Sequence, residues 1–288
     1  MLTDAVSILK ENNINTPRLD GEVILAHLLD CKRIDLILKH DEVLDKEQER
    51  EYIKRINLRA QGMPVQYITG NQEFMGLDFH VTPDVLIPRP DTEILVEEAI
   101  QEASLMDKPL IIVEIGTGSG AIALSLAHYI KDAQVHTIDI SPKAIAIAKK
   151  NAKKLSLEEK VVFYHGDLLS PIEGILEGKV DLLVSNPPYI PSKDILNLQR
   201  EVKDFEPLLA LDGGEEGLDF YERIIDQGLG YLSNQGKIIF EIGYDQGEKV
   251  SSILKRKKIF KEINIIKDLG GLDRVVLAKG LLTEDRGK

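Results

Sequence analysis

The chain has 288 residues, of which 43% are hydrophobic, and it carries a formal net charge of -12 at pH 7. Its single cysteine, Cys31, excludes an internal disulfide and a multi-cysteine zinc cluster, which is typical of a protein of the reducing cytoplasm. The acidic balance argues against duplex DNA as a ligand, because DNA binding depends largely on lysine and arginine displacing counterions from phosphates.

The amino-terminal part predicts a small helical domain, which we place at residues 1–63, because apolar residues recur there at helical spacing with almost no glycine. Residues 64–90 change to the extended segments Phe74–Gly76 and Leu77–Val81 and to closely spaced prolines, which predicts a hairpin linker. Basic residues also recur at helical spacing in the first region, and we interpret them as an ordinary solvated helix face: Arg50, Lys54, Arg55 and Arg59.

The start of the chain lacks the basic region and apolar run of a signal peptide, and no apolar stretch approaches the ~20 residues that span a bilayer. The histidines form no pair at metal-ligand spacing. We therefore expect a cytoplasmic protein with no membrane partner and no bound metal.

From residue 91 to residue 288, strand and helix patterns alternate, which predicts an α/β domain with a mostly parallel sheet and helices on both faces. Only the turn Asp268–Gly271 separates the last two strands, so the sheet should close with an antiparallel hairpin. The seven predicted strands are Leu110–Ile115, Val135–Ile138, Val161–Tyr164, Val180–Val184, Lys237–Ile242, Phe260–Lys267 and Arg274–Ala278.

The first of these strands leads directly into a glycine-rich turn, and helical spacing begins at Ala121. This order is typical of a nucleotide cradle, because glycines let the chain turn tightly and bring backbone N–H groups close to a ligand. The Gly-x-Gly-x-Gly spacing is one residue shorter than the dinucleotide fingerprint, which disfavours NAD. The turn consists of Gly116, Thr117, Gly118, Ser119 and Gly120.

The second strand ends on Asp139, about 20 residues after the glycine turn, where an acid can accept hydrogen bonds from ribose hydroxyls. Ser141 then follows as the predicted cap of a helix that has Pro142 at its first position. Together the turn and the acid predict a site for a nucleoside-containing cofactor.

The fourth strand is followed by the tetrad Asn186-Pro187-Pro188-Tyr189. Because neither proline can donate to a strand ladder, the chain leaves the sheet with unpaired carbonyls. With the Asn186 side-chain oxygen, such a carbonyl forms a group of acceptors suited to an NH2 group, and the Tyr189 ring can cover a flat substrate. Taken alone, the tetrad fits equally well a rigid strand exit whose asparagine caps a turn.

These elements together resemble the S-adenosylmethionine-dependent methyltransferases of the class I Rossmann-like fold, and further blocks resemble the PrmC/HemK family. That family consists of protein-(glutamine-N(5)) methyltransferases that act on peptide chain release factors. The resemblance covers nearly the whole chain. The blocks that carry it are Gln66–Gly70, Phe74–Leu77, Val85–Glu93 and Val184–Ile190.

The resemblance implies S-adenosyl-L-methionine as cofactor, with the methionine part on the glycine turn and Asn186, the ribose on Asp139, and the adenine near Asp167 and Leu168. Some relatives have an aromatic residue in place of Leu168, so we expect only an apolar contact there. The implied substrate is the glutamine of the Gly-Gly-Gln loop in class I release factors.

The substrate glutamine would be gripped by the tetrad, in which Asn186, Pro187 and Tyr189 are the predicted catalytic residues and Pro188 contributes to binding. The helical domain would hold the protein substrate. Arg89 could pair with a carboxylate of the cofactor or the substrate, or equally well form a structural salt bridge, and the strand-end acids Glu114 and Glu241 are ambiguous.

Three alternatives share part of this pattern. A glutamine methyltransferase of a ribosomal protein would use the same tetrad. An adenine-specific DNA methyltransferase would also use it, although the net charge disfavours direct DNA binding. The third alternative is a non-catalytic adenosyl-binding module that recognises a release factor without modifying it.

Overall fold

The structure is a computed structural model that describes residues 1–38, 43–107 and 109–282. As far as it is described, the chain forms two compact units. The helical unit comprises Met1–Asn71, Val81–Pro83 and Leu198–Glu206, and the sheet unit comprises Gln72–His80, Asp84–Asn197 and Pro207–Lys288. The division into 1–63, 64–90 and 91–288 stays a prediction, and its residues 39–42, 108 and 283–288 lie outside the described part.

The helical unit contains the predicted bundle. Its core consists of the apolar stripes of three helices and includes Leu9, Ile24 and Ile56, which are at most 1% exposed. The Tyr52 hydroxyl, buried in the same core, donates to the Gly21 carbonyl over 3.0 Å. The helices of the first 71 residues are α1 (Leu2–Glu11), α2 (Pro17–Leu28), α3 (Asp35–Leu38), α4 (Lys46–Ala60) and α5 (Val65–Thr69).

A buried ion pair ties a distant segment into this unit. Arg59 of α4 is 4% exposed, and its Nε donates to Asp20 Oδ2 over 2.6 Å. Its Nη2 donates to Glu201 Oε1 over 2.5 Å, and Glu201 lies on α9 (Arg200–Phe205). The interpretation of Arg59 as part of a solvated face is therefore wrong. Its spacing along the helix does not reveal that it pairs with Asp20 and Glu201.

The predicted hairpin is formed by β1 (Asn71–Phe74) and β2 (Leu77–His80). Met75 and Gly76 make the turn between them with φ values of 52° and 71°. Two consecutive left-handed residues match the right-handed twist of the strands. Gly76, expected to be extended, is therefore a turn residue.

The sheet unit has a seven-stranded sheet in the order β5-β4-β3-β6-β7-β9-β8. Its first five strands are parallel, and β9 runs antiparallel to both β7 and β8. The predicted α/β fold and its closing hairpin are confirmed. The strands are β3 (Leu110–Ile115), β4 (Ala133–Asp139), β5 (Val161–His165), β6 (Val180–Ser185), β7 (Leu232–Glu241), β8 (Phe260–Lys267) and β9 (Asp273–Leu281).

Helices cover both faces of this sheet, as near-continuous apolar strands require. Along β3, Leu110 and Ile112 join one hydrophobic cluster, whereas Val113 and Ile115 join the other. The helices are α6 (Pro90–Ser104), α7 (Ala121–Tyr129), α8 (Pro142–Leu155), α10 (Asp219–Gly228) and α11 (Gly247–Lys257). Short 3-10 helices lie at Ser170–Ile172, Ser192–Asn197 and Leu208–Ala210.

The strand order reverses between β3 and β6. From β3 the chain builds β4 and β5 on one side, and it then returns to place β6 on the other side. Connections therefore leave β3 and β6 in opposite directions, which opens a crevice at their carboxyl ends. The two strands pair up to Ile115 and Ser185, so the glycine turn and the tetrad begin side by side.

No helix within the described residues combines the length and the apolar character needed to cross a membrane.

Asp20→Ala should destabilise the helical unit by about 3 kcal/mol, because it removes one of the two carboxylates that pair with the buried Arg59 guanidinium. Chemical unfolding of the full chain, followed by circular dichroism, measures this. Arg18→Ala is the matched control, since Arg18 is 79% exposed in its pair with Glu22 and its loss should cost less than about 1 kcal/mol. If Asp20→Ala and Arg18→Ala lost the same free energy of unfolding, the buried pair would be no more important than the exposed one.

Candidate active site

A cavity of about 260 Å³ lies at the carboxyl ends of β3, β4, β5 and β6. It is lined by residues that follow each of these strands, as the reversal of strand order predicts. Two residues predicted for the site, Gly120 and Tyr189, are not part of its wall. The predicted residues that do line it are Gly116, Thr117, Gly118, Ser119, Asp139, Asp167, Leu168, Asn186, Pro187 and Pro188.

The glycine turn forms one wall because its backbone adopts conformations that favour glycine. Gly116, Gly118 and Gly120 have φ values of 90°, 53° and 85°. A Cβ at Gly118 would meet no atom within 4 Å, so this wall is open to a ligand. At Gly120 a Cβ would approach Leu124 to 3.0 Å and Ala148 to 3.1 Å. Gly120 therefore allows the close packing of α7 against α8, and its place beside the cofactor stays a prediction.

Asp139, at the end of β4, is held in the cavity wall by backbone N–H groups. Its Oδ2 accepts from the Gly118 N–H and its Oδ1 from the Ser141 N–H, both over 2.8 Å. Burial raises the pKa of this carboxyl, and the backbone donors partly oppose the rise. Since a carboxylate has about four acceptor positions, these donors do not use all of them, and capacity remains for a ligand.

Glu114, the penultimate residue of β3, is a second acid in the wall. It is fully buried, and its Oε2 accepts from the Thr137 hydroxyl over 2.6 Å. Its Oε1 has no hydrogen-bond partner in the part of the chain that the structure describes. Burial raises the pKa of Glu114 to about 8. A buried acceptor without a partner at a cavity wall fits a ligand that brings a donor or a positive charge.

The end of the cavity near β5 is lined by Asp167 and Leu168, as expected, and also by residues of α10. Asp167 Oδ2 accepts from Arg223 Nη2 over 2.6 Å, and the Arg223 guanidinium lies 5.7 Å from the centre of the Phe220 ring. Phe220 lines the cavity too. The sequence offered no aromatic residue at position 168, and the structure supplies one from a helix more than 50 residues away.

The first three residues of the tetrad, Asn186, Pro187 and Pro188, line the cavity beside the glycine turn. The backbone oxygen of Asn186 lies 3.8 Å from the position that a Cβ on Gly116 would take. Asn186 Nδ2 donates to the Thr92 hydroxyl over 3.2 Å, so this side chain is fixed by α6. The preceding residue, Ser185, secures the strand end by donating to the Ile115 carbonyl over 2.7 Å.

Tyr189 is not part of the cavity wall, and the expectation that its ring covers the substrate stays a prediction. The ring packs against the hydrophobic cluster of the sheet, and its hydroxyl lies 3.5 Å from Glu241 Oε1. Burial raises the pKa of this phenol. Its backbone is also secured, because Gln246 Nε2 donates to the Tyr189 carbonyl over 3.0 Å. Tyr189 thus anchors the bend from behind.

A glycine-rich loop presses directly on the same bend. A Cβ on Gly213 would lie 2.7 Å from the Pro188 oxygen, and a Cβ on Gly217 would overlap the Tyr189 carbonyl oxygen. Gly217 also has a φ of 72°. Sequence reasoning missed both glycines and Gln246 because none of them stands in a recognisable motif, and it gave Thr92 no role although Thr92 lies in the block Val85–Glu93.

Comparisons with known proteins agree with this architecture. Residues 1–70 match the PrmC N-terminal domain family, and residues 91–202 match the methyltransferase small domain family. The chain is 46% identical over 278 residues to the release factor glutamine methyltransferase of Clostridium acetobutylicum, covering 96% of both chains. It is 42% identical over 277 residues to the protein of that name from Moorella thermoacetica, again covering 96% of both.

The chain belongs to the release factor glutamine methyltransferase family. The predicted resemblance is confirmed, and the chain is a methyltransferase. Its fold is shared with a methyltransferase from Pyrococcus furiosus, with a TM-score of 0.51 at 16% identity, covering 83% of this chain and 100% of that one.

The sequence left the roles of Arg89 and Glu241 ambiguous. Arg89 lines the cavity, whereas Glu241 lies outside its wall. Within residues 1–38, 43–107 and 109–282, no group of three His, Cys, Asp or Glu side chains could hold a metal ion.

Gly217→Ala should destabilise the sheet unit by about 2–4 kcal/mol, because the added methyl overlaps the Tyr189 carbonyl and the backbone is left-handed there. Turnover should fall at least ~10-fold as the bend shifts. Thermal unfolding and initial rates measure the two effects.

Gly230→Ala is the matched control for Gly217→Ala, since a Cβ at Gly230 would meet no atom within 4 Å. It should change stability by less than about 0.5–1 kcal/mol. A Gly217→Ala protein that melts and turns over like this control would show that the loop does not hold the bend.

Proposed function

We propose that the chain transfers a methyl group from S-adenosyl-L-methionine to the side-chain amide nitrogen of the glutamine in the Gly-Gly-Gln motif of class I peptide chain release factors. The observation that carries this proposal is the juxtaposition of Asn186 and the glycine turn on one cavity. One wall has the features of a nucleoside cradle and the other presents amide acceptors. The names of the relatives supply the release factor as substrate.

The residues of the cavity fit S-adenosylmethionine. The acids Glu114, Asp139 and Asp167 suit its positively charged groups and ribose hydroxyls. A hydrogen-bond donor of the cofactor would satisfy the unpaired acceptor Glu114 Oε1. Leu168 and Phe220 provide apolar surface for an adenine ring. When bound, this cofactor supplies an electrophilic methyl group.

The tetrad acts on the substrate amide. An amide nitrogen is a poor nucleophile because its lone pair is delocalised into the carbonyl. We assign Asn186 Oδ1 and the Pro187 carbonyl as acceptors for the two N–H groups of the glutamine, which favours a nitrogen whose lone pair is available. Pro188 keeps the bend rigid. The main contribution of these residues is positioning, so no general base is assigned.

The helical unit is assigned to binding of the release factor. Its sequence matches a domain family that is named after this enzyme family rather than after methyltransferases in general. The net charge of -12 disfavours DNA as the substrate, since that interaction would have to overcome repulsion between the chain and the phosphates.

Transfer of labelled methyl groups to a purified class I release factor tests the proposal. We expect stoichiometric labelling of the release factor and none of a variant whose Gly-Gly-Gln glutamine is replaced by alanine. Ribosomal proteins and double-stranded DNA serve as alternative acceptors in the same assay. Label in either of these but not in the release factor would overturn the proposal, and cofactor binding without any transfer would favour the non-catalytic module.

Two substitutions should separate turnover from cofactor binding. Asn186→Ala should reduce turnover ~100-fold or more, as removal of one transition-state hydrogen bond does, and leave cofactor affinity within a few-fold. Asp139→Ala should instead weaken cofactor binding at least ~10-fold, because a charged acceptor is lost. Calorimetric titration and saturating-cofactor rates measure the two effects. Near-normal turnover of Asn186→Ala would refute the role of that amide.

A further inference from the structure

Three polar side chains lead from the cavity wall into the interior: Asn186 and Thr92 line the cavity, and Glu241 lies outside its wall. Asn186 Nδ2 contacts the hydroxyl of Thr92, which is 4% exposed on the first turn of α6. That hydroxyl also hydrogen-bonds the carboxyl group of Glu241, which is 2% exposed at the end of β7. These three residues are far apart in sequence, and only the fold brings them together.

The chemistry of the three groups determines which of them donates and which accepts in each hydrogen bond. An ionised carboxylate can only accept, so the Thr92 hydroxyl must give its single hydrogen to Glu241. The hydroxyl oxygen is then left as an acceptor toward Asn186. It can be satisfied only by the Asn186 NH2 group, and the Oδ1 of the same amide must consequently face the other way.

We propose that Thr92 and Glu241 are positioning residues that hold the Asn186 amide with its oxygen directed at the substrate. This inference rests on the proposed methyl transfer to an amide. With the opposite orientation, Asn186 would present N–H donors to the N–H groups of the glutamine, and the productive complex would lose an acceptor. The hydrogen bonds that join Glu241, Thr92 and Asn186, here called the relay, thus orient an amide whose oxygen and NH2 ends have nearly the same shape. The oriented amide selects an NH2 group of the substrate.

Protonation of Glu241 would reverse the direction of both hydrogen bonds. A carboxylic acid donates to the Thr92 hydroxyl, and Thr92 would then donate to Asn186 Oδ1. Burial raises the pKa of Glu241 to about 7, and its Oε2 has no hydrogen-bond partner within the described residues. Asp91, beside Thr92 on α6, raises the pKa further.

Other neighbours of Glu241 act in the opposite direction or do not titrate with it. Arg274 of β9 lowers its pKa, and so do the hydroxyls of Thr92 and Tyr189. Tyr221 of α10 donates to the Glu241 backbone carbonyl over 2.8 Å, and its own phenol pKa is raised well above its ordinary value. Glu241 is therefore charged above about pH 7 and neutral below it, and the rate should fall as the pH drops through that value.

Thr92→Val keeps the shape of the side chain but breaks the relay. At saturating cofactor we expect kcat to fall about 10-fold, less than on removal of the amide itself, with KM for the release factor within about 2-fold. Thr92→Ser restores the hydroxyl and should stay within about 2-fold of the wild-type kcat. Cofactor affinity by calorimetry and the melting temperature show whether either variant is merely misfolded.

The pH profile separates the relay from simple packing. Wild-type kcat at saturating cofactor should rise about 10-fold from pH 6 to pH 8, as expected for one group that must be ionised. Glu241→Gln cannot ionise, so its kcat should change by less than about 2-fold over that range. The cofactor must be saturating because Glu114, with a pKa of about 8, lines the cavity. Its titration would change the affinity for the cofactor and so alter the rate at lower cofactor concentrations.

A measurement without turnover tests the same point. The side-chain NH2 signals of Asn186, identified by their loss in Asn186→Ala, should shift with pH near 7 in the wild type and not in Thr92→Val or Glu241→Gln. If Thr92→Val matches Thr92→Ser in kcat, pH profile and NMR titration, the relay is refuted even though methyl transfer stands. If the wild type methylates no release factor, the proposed function fails, and the NMR titration still decides whether the relay exists.

Discussion

The whole site depends on how two neighbouring central strands end. β3 leaves the sheet through glycines with left-handed backbones, whereas β6 leaves it through two prolines. A glycine turn exposes N–H donors, and a proline bend can offer only carbonyl acceptors. Because the two strands are paired up to their last residues, donors and acceptors face one another across a single crevice. No other pair of strand ends in the sheet, within the described residues, has this combination.

The acids Glu114 and Glu241 are fully or almost fully buried carboxyls near the carboxyl ends of β3 and β7. Burial raises the pKa of each, to about 8 and about 7, because a low-dielectric surrounding disfavours the charged form. Such perturbed groups cluster where they are used. Glu114 lines the cavity, whereas Glu241 lies outside its wall, next to the hydroxyl of Tyr189.

Local patterns in the sequence were sufficient for the sheet and for part of the cavity wall. The central strands are short apolar runs with breakers beside them, and the glycine turn follows one of them directly, so neighbouring residues determine these elements. Thr92, Gly217 and Phe220 could not be predicted, because their contact with the site arises from the fold alone. Tyr189 and Gly120 lie outside the cavity wall for a related reason: a motif shows which residues are neighbours in sequence, not which of them line a cavity.

The grip on an NH2 group does not by itself decide between a glutamine amide and an adenine amine. Two acceptors in front of a methyl donor fit both, since each presents two N–H groups on a flat nitrogen. Discrimination must come from parts that touch the rest of the substrate. A chain of net charge -12 repels a polyphosphate backbone, and its helical unit belongs to a domain family of its own. Chemistry is therefore encoded in the strand ends, and substrate choice in what surrounds them.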